Sequence, residues 1–275
     1  MIPAAFDYAR AASADEALSL LAEYGEDAKI LAGGHSLLPL MKLRLAAPSV
    51  LIDVGRVADL AYIRDGGDHV AVGALTRHHD VATSALLGAE VPLIPFVAGL
   101  VGDPQVRHRG TIGGSIAHGD PASDLPAAVL ALGASLVVRG PAGERVVPAG
   151  EFFKGFLETA IGADELLIEI RLPKMDGAGW SYQKFNRRAQ DWAIVGVAAV
   201  GAAAGGGVAL VNMASTPVRA SAVEAARAAG ASAADAAGEA SAGLDPPGDL
   251  NASPEFRRHL ASVLVRRALE EVDAR

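Results

Sequence analysis

The sequence predicts an α+β protein, and three observations carry that expectation. Short apolar runs of strand length alternate with helical periodicity over the first part of the chain. Two further apolar runs, Ala193–Ala203 and Val208–Ala214, flank Gly205-Gly206-Gly207 and read as a β-hairpin. An alanine-rich tail then ends in a helix with Phe256, Leu260, Val263, Leu264 and Ala268 on one face.

Each element follows from its local chemistry. Ser13 with Glu16 forms a capping box for a helix to Tyr24, which Gly25 ends. Lys29–Ala32 is a short strand that runs into Gly33-Gly34. Leu37–Leu45 is apolar and basic, and Val50–Val54 is a buried strand, so the opening reads β/α/β. Val70–Ala74 is a strand, Thr76 is expected to cap a helix through Leu87, and Val91–Val101 is helical. A loop rich in Gly, Pro, Arg and His spans Gly102–Gly110, and Pro126–Leu132 is a helix. Leu136–Arg139, Glu144–Pro148, Glu165–Leu172 and Trp180–Phe185 are strands, with Pro173–Gly179 a linker. Ala220–Ala242 is helix-prone, interrupted by glycines.

Composition narrows the function. At 275 residues the chain fits one large domain or two ordinary ones. It holds 57 alanines and 13 aromatic residues, so Ala, Val, Leu and Ile must build the core. With 24 Lys+Arg against 32 Asp+Glu, the net charge of −8 argues against nucleic acid or an anionic membrane as the main partner. The absence of cysteine excludes disulfides, catalytic thiols, thiolate zinc and any cysteine-held iron–sulfur cluster in this chain. The start lacks the basic and apolar regions of a signal peptide, so a cytoplasmic location is expected. Trp192–Val218 carries no charge over 27 residues, yet its central glycines and following Asn, Ser, Thr and Pro favour the hairpin over a membrane span.

The strongest chemical signal is a pair of glycine loops. Ala32-Gly33-Gly34-His35-Ser36 and Thr111-Ile112-Gly113-Gly114-Ser115 each set paired glycines beside a hydroxyl, 80 residues apart. Without Cβ atoms, backbone N–H groups approach and wrap an anion, so two such loops can clamp a diphosphate. The competing reading is a pair of tight turns. Neither loop is a dinucleotide-binding G-x-G-x-x-G, and there is no G-x-x-x-x-G-K-[ST] phosphate loop. Other constellations are weaker. His78-His79 cannot both face one ion from a regular element, Asp120 and Asp124 are separated by Pro121, and no serine lies in a nucleophile elbow.

The chain resembles the medium, FAD-binding subunit of molybdenum hydroxylases of the carbon monoxide dehydrogenase and xanthine dehydrogenase type. The residues that carry the resemblance are Ala32–Arg44 and Thr111–Pro126, followed by Asp164–Leu167, Tyr182–Phe185, Asp191–Ala193, Thr216–Ala220 and Phe256–Leu260. It covers the whole chain. It implies a two-subdomain FAD-binding fold of p-cresol-methylhydroxylase type over 1–175 (subdomains about 1–56 and 57–175), then a C-terminal domain of antiparallel sheet and helices over 176–275.

The resemblance also implies roles for single residues. Ala32, Gly33, Gly34, His35 and Ser36, with Thr111, Ile112, Gly113, Gly114 and Ser115, are similar to the diphosphate loops. Asp124 is similar to the acid that binds the cofactor's ribose or ribityl hydroxyls; by itself it reads as a helix N-cap. Leu167 looks like the residue that meets the flavin ring, and Lys184 like the cation beside it; the competing reading, one more surface lysine, is weakened because the chain has only five lysines. For Trp192 two readings stand, a shield over a flavin face or a core residue. Ser115 departs from the family, which usually has Asn there, so one hydrogen bond is altered while the backbone cradle is kept.

The implied function is electron transfer from iron–sulfur clusters through FAD to NAD, oxygen or a quinone. The molybdenum cofactor and [2Fe–2S] clusters belong to a large molybdenum subunit and a small iron–sulfur subunit, in a dimer of heterotrimers. No catalytic residue and no metal site is expected in this chain. Two rivals remain at this point: a self-contained flavin oxidase or reductase of the same fold, and a flavin-free assembly subunit. In the oxidase rival His35 would be joined covalently to FAD; in the subunit reading the cofactor is noncovalent.

Overall fold

The structure is a computed structural model that describes residues 2–201 and 205–275. Strands β1 (Asp7–Arg10), β2 (Ala28–Leu31) and β3 (Val50–Asp53) form a parallel sheet in the order β1-β3-β2. The helix Ala14–Tyr24 crosses between the first two. Ser13 Oγ accepts from Glu16 N at 3.1 Å, and Glu16 Oε2 accepts from Ala12 N at 2.6 Å. That is the expected box, with the return bond shifted by one residue. Gly25, at φ +57°, ends the helix as expected. β1 is not among the expected strands: it is an exposed edge with no apolar alternation, held by its backbone to β3.

A second sheet is antiparallel. Its strands β4 (Ile63–Asp65), β5 (His69–Gly73), β6 (Ser135–Gly140), β7 (Gly143–Pro148) and β10 (Leu166–Pro173) run in the order β4-β5-β10-β6-β7. The intervening β8 (Phe153–Gly155) and β9 (Glu158–Thr159) make a small hairpin. β10 lies between β5 and β6, with a bulge against β6 between Leu167 and Glu169. The single helix expected after Thr76 is instead two, His78–Thr83 and Ala85–Glu90. Ser84 takes extended backbone, and its Oγ caps the second by accepting from Leu87 N at 3.3 Å. Thr76 caps nothing; its hydroxyl donates to Tyr62 O at 3.0 Å.

The third sheet, β11 (Trp180–Phe185), β12 (Val195–Val200), β13 (Val208–Val211) and β14 (Val218–Arg219), is antiparallel and in sequence order. β12 and β13 pair as the expected hairpin, with Gly196 opposite Val211. The reading that carried its first strand on to Ala203 reaches residues 202 and 203, which lie outside the described residues. The helix Pro254–Ala274 packs against β11 and β12. No helix among the described residues is long and apolar enough to cross a membrane.

One helix joins the second and third sheets. Asp124–Ala131 is buried along its whole length. Leu125 and Val129 lie in an apolar cluster with Val138 and Ile170 of the second sheet and with Tyr182, Ala198 and Val211 of the third. The helix packs on β12, β13 and β14 of the third sheet, which fixes where its N-terminus stands.

Candidate functional site

The fold brings the two glycine loops into contact. A Cβ built on Gly33 would lie 2.4 Å from Arg109 O and 2.8 Å from Gly110 Cα, and one on Gly114 would lie 3.8 Å from Ala32 Cβ. Close approach of two backbones is what these glycines permit. The loops differ in what they offer. The N–H groups of Gly33, Gly34, His35, Ser36 and Leu37 donate to no protein acceptor among the described residues. The second is not a free loop as expected: Ile112–Ser115 are the first turn of the helix Ile112–His118, with Thr111 as N-cap. There the N–H of Ile112 donates to Thr76 O, that of Gly113 to Ala74 O and that of Ser115 to Thr111 O. Gly114 N donates to Thr111 Oγ1, leaving Thr111 N–H as the open donor.

Behind the second loop stands His78. Its N–H donates to Gly110 O at 3.0 Å, its ring blocks the space a Cβ on Gly110 would occupy, and its Nδ1 is buried without a partner. Burial, with His35, Arg77 and Arg107 nearby, pushes its pKa down to about 4. His79 turns away to stack on His108, at 4.1 Å between ring centres, and no metal-holding cluster exists among the described residues.

At the start of the Asp124–Ala131 helix, Ser123 holds the N-cap position and makes no side-chain cap bond. Asp124 is thus not the N-cap that local reading allowed. Its carboxylate accepts from Tyr182 OH at 2.6 Å and from Lys184 Nζ at 2.8 Å. All three side chains are buried. Lys184 also reaches Leu100 O at 3.4 Å, so it is not a free surface lysine. Burial raises the Asp124 carboxyl pKa against the opposing pull of Lys184 and Tyr182, and burial together with Asp124 raises the Tyr182 hydroxyl well above its usual range. A buried carboxylate needs such partners, because an unpaired charge there is costly.

The remaining expected residues are spread around this centre. Leu167 is buried in the same apolar cluster as Ile116, Leu125 and Tyr182. Ser115 is half-buried, while His35 and Ser36 are exposed. Trp192 is 69% exposed, which removes the core reading. It lines a groove of about 450 Å³ with Asp120, Pro121, Phe156, Asn212 and Arg257.

Sequence reasoning passed over Tyr182, although a strand places it on the same face as Lys184, two residues on. It also passed over His78 as anything but a metal ligand, and over Asn212 and Arg257, for which no local signal exists.

The residues present fit FAD. A loop rich in free donors suits a diphosphate, a buried carboxylate suits a polyol chain, and a buried ammonium stands beside it. Comparison with known proteins agrees. Residues 4–175 match the family described as FAD binding domain in molybdopterin dehydrogenase, and residues 180–272 match the CO dehydrogenase flavoprotein C-terminal domain. The carbon monoxide dehydrogenase medium chain of Afipia carboxidovorans is 41% identical over 285 residues, covering 100% of this chain and 99% of that one. The glyceraldehyde dehydrogenase medium chain of Sulfolobus acidocaldarius is 37% identical over 99% of this chain and 100% of its own. Among solved structures, carbon monoxide dehydrogenase from Hydrogenophaga pseudoflava, in a form lacking the Mo-pyranopterin moiety of its molybdenum cofactor, superposes with a TM-score of 0.93. It shares 42% identity and covers 100% of this chain and 99% of that chain. This chain belongs to the FAD-binding medium chains of the molybdenum hydroxylases, of carbon monoxide dehydrogenase type.

Proposed function

We propose that the chain carries electrons from iron–sulfur clusters, through noncovalent FAD, to an external acceptor. The observation that carries this reading is the run of free N–H groups from Gly33 to Leu37 packed against the second glycine loop. Bound FAD supplies the capacity to take up and release electrons one or two at a time. The chain's residues bind and orient. Ala32–Ser36 with Thr111–Ser115 hold the diphosphate, with backbone donors chiefly from the first loop. Asp124 accepts from cofactor hydroxyls, fixed for that task by Tyr182 and Lys184. Leu167, Lys184 and Trp192 border the ring, and the Lys184 ammonium favours electron density beside it.

The three sheets support a division into 1–56, 57–175 and 176–275. This chain has no cysteine, so the cluster ligands lie in another chain. Its relatives include medium chains of dehydrogenases, which supports assembly with a small iron–sulfur subunit and a large molybdenum subunit; a dimer of heterotrimers is the form proposed for that assembly.

Reconstitution tests this. The purified chain should take up FAD, show a flavin spectrum, release the cofactor on acid precipitation and turn over no substrate with an artificial acceptor. Turnover should require co-expression of both partners. Colour retained on the denatured protein, or turnover by the single chain, would favour the self-contained oxidase. Failure to take up FAD would favour the assembly subunit.

A further inference from the structure

Asn212 joins two segments that the proposed site needs but does not itself connect. It follows β13 in the left-handed region at φ +61°, a conformation that asparagine tolerates better than most residues. Its N–H donates to Pro121 O at 2.7 Å, and its side-chain Nδ2 donates to Ala193 O at 3.0 Å. Pro121 sits in a turn held by Asp120, whose Oδ1 accepts from Ala122 N at 2.8 Å and whose carbonyl accepts from Ser123 N at 3.0 Å. That turn leads directly into Asp124. Ala193 is the residue after Trp192.

The base of the Trp192 loop is clamped a second time. Ile194 O accepts from Arg257, which is fully buried and paired with Asp249 Oδ2 at 2.7 Å. Ala193 and Ile194 are therefore fixed and buried, while Trp192 projects from them into the groove. Among these bonds, Asn212 joins the two segments with a pair of its own: its carboxamide holds Ala193 O of the indole-bearing loop, and its backbone N–H holds Pro121 O in the turn before Asp124.

We infer that Asn212 is a positioning residue for Trp192: its carboxamide sets where the indole stands relative to the Asp124 turn, and so to the flavin. The inference rests on the reading that Trp192 and Asp124 border the flavin. The chain has two tryptophans, so a Trp180→Phe background leaves Trp192 as the sole indole. The measurement is quenching of Trp192 emission per bound FAD in the full chain. Asn212→Gly keeps the left-handed backbone and its N–H but removes the amide. Asn212→Asp keeps the size but cannot donate, and serves if the glycine variant does not fold. FAD should strongly quench the background protein, and both variants should lose at least half of that quenching per bound flavin. Full quenching in either folded, FAD-loaded variant would overturn the inference. No quenching in the background protein would instead overturn the underlying reading that Trp192 faces the flavin, and the inference with it.

Discussion

The two glycine loops share a composition and differ in physics. Around Gly33 and Gly34 the backbone N–H groups are free, and the loop is costly twice over, in space at Gly33, where a Cβ would lie 2.4 Å from Arg109 O, and in backbone at Gly34, which sits at φ +76°. Around Gly113 and Gly114 nearly every N–H already has a protein acceptor, and the cost lies in space: a Cβ on Gly113 would meet Ala74 Cβ at 2.4 Å and Ala74 O at 2.5 Å. The first loop is thus built to donate. The second is built to pack, as the wall against which the first is held. A glycine pair in a sequence specifies missing Cβ atoms; which neighbour uses the vacant space is a property of the fold.

Four substitutions or conditions probe this difference, in order of expected size. Gly113→Val should destabilise the FAD-free chain by roughly 3 kcal/mol or more, since Ala74 backbone cannot retreat while it accepts from Gly113 N. Thermal melting of the apo protein checks it. An unchanged apo melting temperature with FAD binding lost would show that Gly113 faces the cofactor after all, and would erase the contrast.

Acid should act next, through His78. Its folded pKa of about 4 lies below the 6.5 of a free imidazole, so the unfolded chain binds the proton first as pH falls. Stability is intact above about pH 6.5 and declines between there and pH 4, by up to about 3 kcal/mol. Because His78 backs Gly110, the loss should appear in the second loop. Denaturant melts of the parent and of His78→Phe across this range should converge in slope only if another group is responsible.

Gly34→Ala should spare the apo fold more than Gly113→Val does. Its Cβ would meet the side chains of Leu38 at 2.9 Å and Leu31 at 3.2 Å, which can shift. The left-handed backbone costs about 1–2 kcal/mol, so FAD affinity should fall roughly tenfold by titration. A tighter complex would contradict the reading of the first loop as the donor side. Smallest of all, Ser115→Asn should leave affinity within about threefold or improve it, because the Ser115 N–H is already committed to Thr111 O and the change reaches only a side chain.

Much of the fold was legible in the residues. The Ser13–Glu16 box, the glycine stop at Gly25 and the strand Trp180–Phe185 all depend on neighbours a few positions away, and each stands where local chemistry put it. The edge strand Asp7–Arg10 was not legible, because its pairing is to the backbone of β3 and its side chains carry no pattern. The helix expected through Leu87 failed at Ser84, where one extended residue starts a second cap. At the candidate site the resemblance supplied Asp124 and Lys184 separately. Their mutual contact, and Tyr182 as the third member, came from two β11 side chains that the fold brings to the first residue of the helix Asp124–Ala131.

The sequence by itself determined the absence of cluster ligands, the positions that lack a Cβ, the caps and the strand periods, since each is set by residue type or by spacing within a turn or two. Only the tertiary structure decided that the first glycine loop keeps its donors while the second spends them on Thr76, Ala74 and Thr111. It also decided that Asp124 meets Tyr182 and Lys184 from 58 and 60 residues away, and that Trp192 stands in a groove rather than in the core. Those outcomes turn on which distant backbone or side chain fills a given space, and burial makes that choice only once separate segments pack together.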